Sequence, residues 1–261
     1  MKKLLKVAVP ALVIFLLLAC FYIFFVSPSY VVPILMYHRF GYEEGTLFVT
    51  PENFSKQMDY LQNKNYKVIS LEDLATGIKS NKKFPRNSVA ITIDDGYEDN
   101  YKYAYPVLKK HNFPATIFIV SSYINNNPEY LKKKQMKEMM ENGITFGGHT
   151  RSNVYLPDIK DKKALYDEIG GCKKDIEAIL GEKIKFYCYP TGGFTEEIKQ
   201  MTKDAGFEAA CTTNRGISRF NTDLYELKRV KITNSDTNKP FSFWAKLSGY
   251  YNLLRRPKTS Y

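Results

Sequence analysis

The sequence predicts an α/β chain: a distorted (β/α) barrel of seven or eight strands, preceded by an N-terminal transmembrane helix. Three observations lead there. Short β-rich runs alternate with helical patterns from about residue 32 onward, the order expected of parallel βα units. Several of those runs end in side chains able to do chemistry, as barrel strands do at their C-terminal face. Val7 to Val26 form a run of twenty uncharged residues behind Lys2, Lys3 and Lys6.

That run is long enough to cross a bilayer as a helix, with its lysines on the cytoplasmic side. A cleavable signal has a shorter apolar region that ends at small residues; here the run ends Phe-Phe-Val-Ser-Pro. The LLAC at Cys20 resembles a lipoprotein acylation site, yet Phe21 to Val26 stay apolar. Residues 1–27 therefore read as cytoplasmic lysines and an uncleaved anchor, 28–232 as the barrel and 233–261 as a helical tail. The expected location is the cell membrane, single-pass, with the barrel outside the cell. Nucleic acid is excluded as a partner by that topology.

Outside the anchor, 35 of the chain's 38 Lys and Arg remain against 27 acids. Such a surface is drawn to anionic polymers or lipid head groups, or is simply lysine-rich, with Lys132 to Lys134 as one solvated helix face. Cys172, Cys188 and Cys211 have no CxxC spacing. Cys188 and Cys211 can pair only if their strands are neighbours. Nothing in the sequence speaks to the oligomeric state.

In chain order, the predicted strands are Val32 to His38, Lys67 to Ser70, Ser88 to Asp94, Ala115 to Val120, Ile144 to Gly147, Ile184 to Tyr189, Ala209 to Thr213 and Leu227 to Ile232. The predicted helices are Pro51 to Lys64, Leu71 to Ser80, Glu98 to His111, Tyr130 to Asn142, Lys160 to Leu180 and Thr195 to Ala205. In the tail, Trp244, Leu247, Tyr251 and Leu254 share one helical face, expected to pack on the barrel.

Asp94 and Asp95 sit side by side at a strand end. Burying such a pair is costly unless a cation holds the charge, and a divalent metal is the economical partner. Two of the three histidines, His38 and His149, also end apparent strands, the latter behind Gly147 and Gly148, which permit close backbone approach. His111, before Asn112, reads as a capping or surface histidine. In FYCYPTGG, Pro190, Gly192 and Gly193 build a rigid turn that can aim backbone N–H groups at a ligand.

These segments together resemble the polysaccharide deacetylases of carbohydrate esterase family 4. TIDDG at 92–96 is similar to that family's first motif, HTRSN at 149–153 to its second and CYPTGG at 188–193 to its third. VPILMYH and DGYEDNYKYAYPVLKKHNFPATIFIV resemble its extracellular members. The resemblance implies Asp94 as general base, Asp95 and His149 as metal ligands and Thr150 as a support behind them. It also implies that Tyr189, Pro190 and Thr191 shape the pocket wall, with a backbone N–H near Thr191 for the oxyanion. The implied cofactor is a divalent metal, zinc first, with cobalt, manganese or nickel as the other candidates. The implied substrate is an extracellular polysaccharide bearing N-acetylglucosamine, peptidoglycan or an exopolysaccharide.

Two departures stand out. Asn153 occupies the place of the family's third ligand, a histidine, and an amide oxygen binds zinc more weakly than imidazole. No histidine follows His149, so the family's late general acid is missing. His38 is the candidate to replace it, as general acid or through water on the metal. A glycan-binding domain without turnover and an O-acetyl esterase are the competing readings. Tyr97, Tyr123 and Tyr155 are candidates to stack on sugar rings.

Overall fold

The computed structural model describes residues 2–27, 30–213 and 220–251. Helix α1 (Lys2–Phe21) runs on through a π-helical turn, Tyr22–Val26, and its stretch Lys6–Val26 is apolar and long enough to cross a membrane. Then come β1 (Ile34–Tyr37), the short pair β2 (Arg39–Phe40) and β3 (Phe48–Val49), α2 (Pro51–Asn63), β4 (Lys67–Val68), α3 (Leu71–Lys79) and β5 (Ser88–Ile93). Next are α4 (Tyr105–His111), β6 (Ala115–Ile119), α5 (Lys133–Met140), β7 (Ile144–Gly148), α6 (Lys162–Tyr166), α7 (Cys172–Leu180) and β8 (Phe186–Cys188). The chain continues through α8 (Glu196–Asp204), β9 (Ala209–Cys211), β10 (Val230–Lys231), α9 (Asn234–Asn238) and α10 (Pro240–Leu247).

The helices start where the sequence supplies caps. Thr50, Ser70 and Thr195 accept the N–H groups of Asn53, Asp73 and Ile198, each satisfying one of the donors left free at a first turn. Left-handed Asn112 and Gly181 close α4 and α7.

All strands but β2 and β3, which pair only with each other, form one curled parallel sheet in the order β10-β1-β5-β6-β7-β8-β9, with β4 paired to the lower part of β5. A bridge from Cys211 to Leu227, just ahead of β10, nearly closes the barrel. Alternation sorts the side chains. Ile34, Ala90, Phe118, Phe186, Cys188, Ala209 and Cys211 belong to one apolar cluster, and their neighbours Leu35, Ile91, Ile117, Tyr187 and Ala210 to another that includes the outer helices. Both faces of the sheet are thus covered, as a parallel sheet requires.

Two long predicted helices are interrupted. Asn100–Ala104 and Asp167–Gly171 are π-helical turns preceding α4 and α7, and such turns insert a residue that re-aims side chains. The helix predicted from Tyr130 begins only at Lys133, because Tyr130 bridges to Tyr97. In the tail, α10 buries Phe243 and Leu247, whereas Trp244 is exposed and meets the Phe241 ring at a tilt, 5.5 Å between centroids. Leu254 lies outside the described residues. Asn234 receives the Thr50 N–H, and Gln57 donates to Thr237, so the tail is tied onto α2. His111 is buried between Gln62 and Asp59, at 2.7 and 3.1 Å, and joins α4 to α2 instead of facing solvent.

Candidate active site

Period-two alternation places Ala90, Thr92 and Asp94 on the inner face of β5. Asp95 would point the other way if the strand continued. Instead it adopts φ +73° and Gly96 φ +75°, and this left-handed turn swings both carboxylates to the same end of the barrel. A non-glycine residue in that region carries about 1–3 kcal/mol of strain. Gly96 has no substitute: a Cβ there would lie 2.5 Å from Ile119 Cγ2. Likewise, a Cβ on Gly147 would come within 2.7 Å of the Phe186 carbonyl oxygen, so β7 and β8 could not approach as they do.

His149 follows β7 and is buried. Its Nδ1 lies 2.8 Å from the Cys188 carbonyl oxygen, an acceptor, so this nitrogen carries a proton and Nε2 faces Asp95 Oδ1 at 3.4 Å. Burial alone would lower the His149 pKa, but Cys188 and the Asp95 and Asp94 carboxylates raise it well above the ordinary value. Thr150, left-handed at φ +65°, donates to the His149 carbonyl at 2.6 Å and receives the Asn153 N–H at 2.9 Å. The loop is held from outside by Glu168 in the second π turn, which accepts the N–H groups of Arg151 and Ser152. Arg151 is itself paired with Asp167 and Asp175.

The group that sequence reasoning missed is Arg229. It is 1% exposed and grips Asp94 at two points, 2.5 and 2.6 Å, while touching Thr92 Oγ1 at 3.1 Å and Cys188 Sγ at 3.0 Å. Burial would raise the Asp94 pKa, but the Arg229 guanidinium overrides it and holds the carboxyl at about 2. The available signal was an arginine at an inward position of the predicted strand Leu227 to Ile232. His38 lies just past β1, with Nε2 3.7 Å from Asp94 Oδ2, and burial lowers its pKa. Its backbone is fixed by Asn100, which donates to the His38 carbonyl.

Tyr189 is buried against Phe194 and Tyr187, and its N–H is spent on Cys211, so its ring belongs to the core and not to a pocket wall. Pro190 has no N–H. Thr191 is exposed, at φ +52°, and its N–H has no partner among the described residues. Asn153 is exposed, at φ +59°. Cys188 and Cys211 are indeed register partners on adjacent strands, and both thiols are free. Tyr97 stacks between Tyr130, at 4.7 Å, and the Arg39 guanidinium, at 4.0 Å, with Tyr123 against Tyr130, whereas Tyr155 packs over Gly193.

Two donor sets could hold a metal. Asp94, His149 and Cys188 bring donor atoms within 4.8 Å of one another, but the Arg229 guanidinium already neutralises their Asp94 and Cys188 side. The pair Asp95 Oδ1 and His149 Nε2 has no such competing cation, and the pinned Nδ1 is the usual support of a histidine ligand. The residues present fit a divalent cation at that pair.

Comparison with known proteins agrees in family and fold. The family model for polysaccharide deacetylase matches residues 81–210. The chain is 31% identical over 209 residues to YxkH of Bacillus subtilis, named for polysaccharide deacetylation, covering 80% of this chain and 74% of that one. It is 29% identical over 198 residues to the poly-β-1,6-N-acetyl-D-glucosamine N-deacetylase of Staphylococcus epidermidis, covering 71% and 68%. Among solved structures, Streptococcus pyogenes deacetylase PplD in complex with acetate superposes with a TM-score of 0.76 at 26% identity, covering 83% of this chain and 97% of that one.

Proposed function

The chain belongs to the polysaccharide deacetylase family, and from that premise we propose that it removes acetyl groups from N-acetylglucosamine units of an extracellular polysaccharide, from a single-pass anchor in the cell membrane. The observation that carries this reading is the left-handed turn at Asp95, which brings two buried carboxylates to the end of the barrel where the pinned His149 follows β7. The S. epidermidis relative, named for a β-1,6-linked polymer, makes that linkage the first to try. The apolar stretch Lys6–Val26 supports the anchor.

A divalent cation held by Asp95 and His149, zinc first by the donor chemistry, would supply Lewis acidity that activates water and polarises the amide carbonyl. The remaining steps belong to the chain. Asp94, kept ionised by Arg229, accepts the proton of the attacking water. Its low proton affinity lets it pass that proton to His38, which is neutral because burial lowers its pKa. From His38 the proton reaches the departing nitrogen as the C–N bond breaks, giving acetate and a free amine. The Thr191 N–H is the donor available for the oxyanion. Thr150 keeps the His149 loop in place through its bonds to the His149 carbonyl and the Asn153 N–H.

The test is acetate release from β-1,6- and β-1,4-linked N-acetylglucosamine oligomers by the full chain in detergent, stripped and reloaded with zinc, cobalt, manganese or nickel. Metal-dependent release establishes the activity. A second reading, glycan binding without turnover, is favoured by the exposed Asn153 at the third ligand position; oligomer binding with no acetate under any metal would select it.

A further inference from the structure

The paired strands of the barrel are parallel, so its two ends are unlike. His38, Asp94, His149 and Cys188 lie at or just past the C-terminal ends of β1, β5, β7 and β8, whereas the chain enters β1 from the apolar helix at the opposite end. That opposite end also carries the loop between α3 and β5.

A cavity of about 750 Å³ opens there, between Ile23 and Ser27 at the end of the helix, Tyr30 at the entry to the barrel, and Lys82, Lys83 and Arg86 of the loop. All three bases are exposed, and no acidic residue lines the cavity among the described residues. Arg86 bonds the Ser27 hydroxyl and lies 5.0 Å over the Tyr22 ring. Tyr250 meets Tyr30 at 5.7 Å and the Tyr22 hydroxyl at 3.4 Å, so tyrosines collect where the helix meets the barrel. Tyrosines and bases at the end of an apolar helix are the composition of a membrane–water interface. Beyond Tyr251 the sequence adds Arg255, Arg256 and Lys258 and no acid.

We infer that this cavity seats the phosphate of an anionic phospholipid from the leaflet around the helix. The barrel then stands with its N-terminal end on the membrane and its reactive end turned outward, toward polymer. The inference rests on the reading of Lys6–Val26 as an anchor. The charge argument is one of complementarity: each base close to an anionic surface favours the docked state by roughly fivefold, and nothing acidic in the cavity opposes the three together.

The test places the full chain in nanodiscs of phosphatidylcholine alone or of phosphatidylcholine mixed with phosphatidylglycerol, and follows amide hydrogen exchange across residues 80–88. Exchange should slow by roughly fivefold or more in the anionic discs. The slowing should vanish in high salt and in the triple variant Lys82→Glu, Lys83→Glu, Arg86→Glu, while the exposed loop around Tyr42, at the reactive end, exchanges alike in both discs. Equal exchange at 80–88 in the two lipids overturns the inference without any variant. Equal slowing by inorganic phosphate in phosphatidylcholine discs overturns the lipid as its source. Extraction of the chain from membranes by alkaline carbonate overturns the anchor itself, and so separates that failure from a failure of lipid docking.

Discussion

Arg229 and Asp94 meet in a two-point ion pair, Nη1 to Oδ1 at 2.5 Å and Nη2 to Oδ2 at 2.6 Å, with both side chains buried. Removing one partner of such a pair strands the other charge without water, at about 3–5 kcal/mol. Arg229→Met should therefore lower stability by that amount in chemical denaturation. The double variant Asp94→Asn, Arg229→Met should lose less than the sum of the singles, because no orphan charge remains. Additive losses would mean that the pair is not coupled. Asp94→Asn alone should retain metal and lose acetate release by roughly 10²–10⁴-fold; full activity in that variant would remove Asp94 from the proton path.

The same pair gives stability a pH signature. The folded pKa of Asp94 is depressed from 3.8 to about 2, so its contribution is fully present above the unfolded value and is lost as pH falls through the folded one. For a shift of this size the contribution is about 2 kcal/mol. Metal-free protein should lose it between about pH 4 and pH 2, and Asp94→Asn should flatten that part of the curve. An unchanged acid limb in the variant would assign the effect to other carboxylates.

Much of the fold was legible because apolar runs and caps are local. Thr50, Ser70 and Thr195 start their helices within a residue or so of the predicted bounds, and β5 ends as TIDDG suggested. What local pattern could not show was long-range. Arg229 reaches Asp94 across 135 residues of sequence, and only closure of the sheet through Leu227 brings the two together. The resemblance of CYPTGG to the third motif puts Tyr189 in the pocket wall, yet alternation after Cys188 turns its ring outward, into the layer under the helices. The π turns were invisible for another reason: a single inserted residue leaves helical periodicity almost unchanged, while its effect, Glu168 gripping the Arg151 loop, is tertiary.

His38 is expected to work in its neutral form. Burial lowers its pKa below the usual histidine value, so protonation, and with it loss of a proton acceptor beside Asp94, should come only below about pH 6.5. The acid limb of kcat against pH should lie there in the metal-loaded protein. His38→Gln should reduce kcat by roughly 10²-fold or more and remove that limb, with little change in zinc affinity. A variant that instead loses zinc while keeping its pH profile would place His38 on the metal.

Asn153→His tests where the cation sits. Asn153 is exposed, and its backbone, at φ +59°, occupies a left-handed region that histidine tolerates better than most residues. Its N–H already closes the turn on Thr150 Oγ1, so the substitution need not disturb the loop that carries His149. If Asp95 and His149 hold the metal, an imidazole at 153 adds a third strong donor in place of an amide. Zinc affinity should then rise by roughly tenfold or more, the scale on which even a group supporting a ligand is felt. Acetate release should rise with it at limiting metal and converge with the parent protein at saturating metal. Unchanged affinity would move the cation away from this loop, toward the Asp94 and Cys188 side that Arg229 now fills, and Arg229→Met would then be the variant in which zinc binding improves.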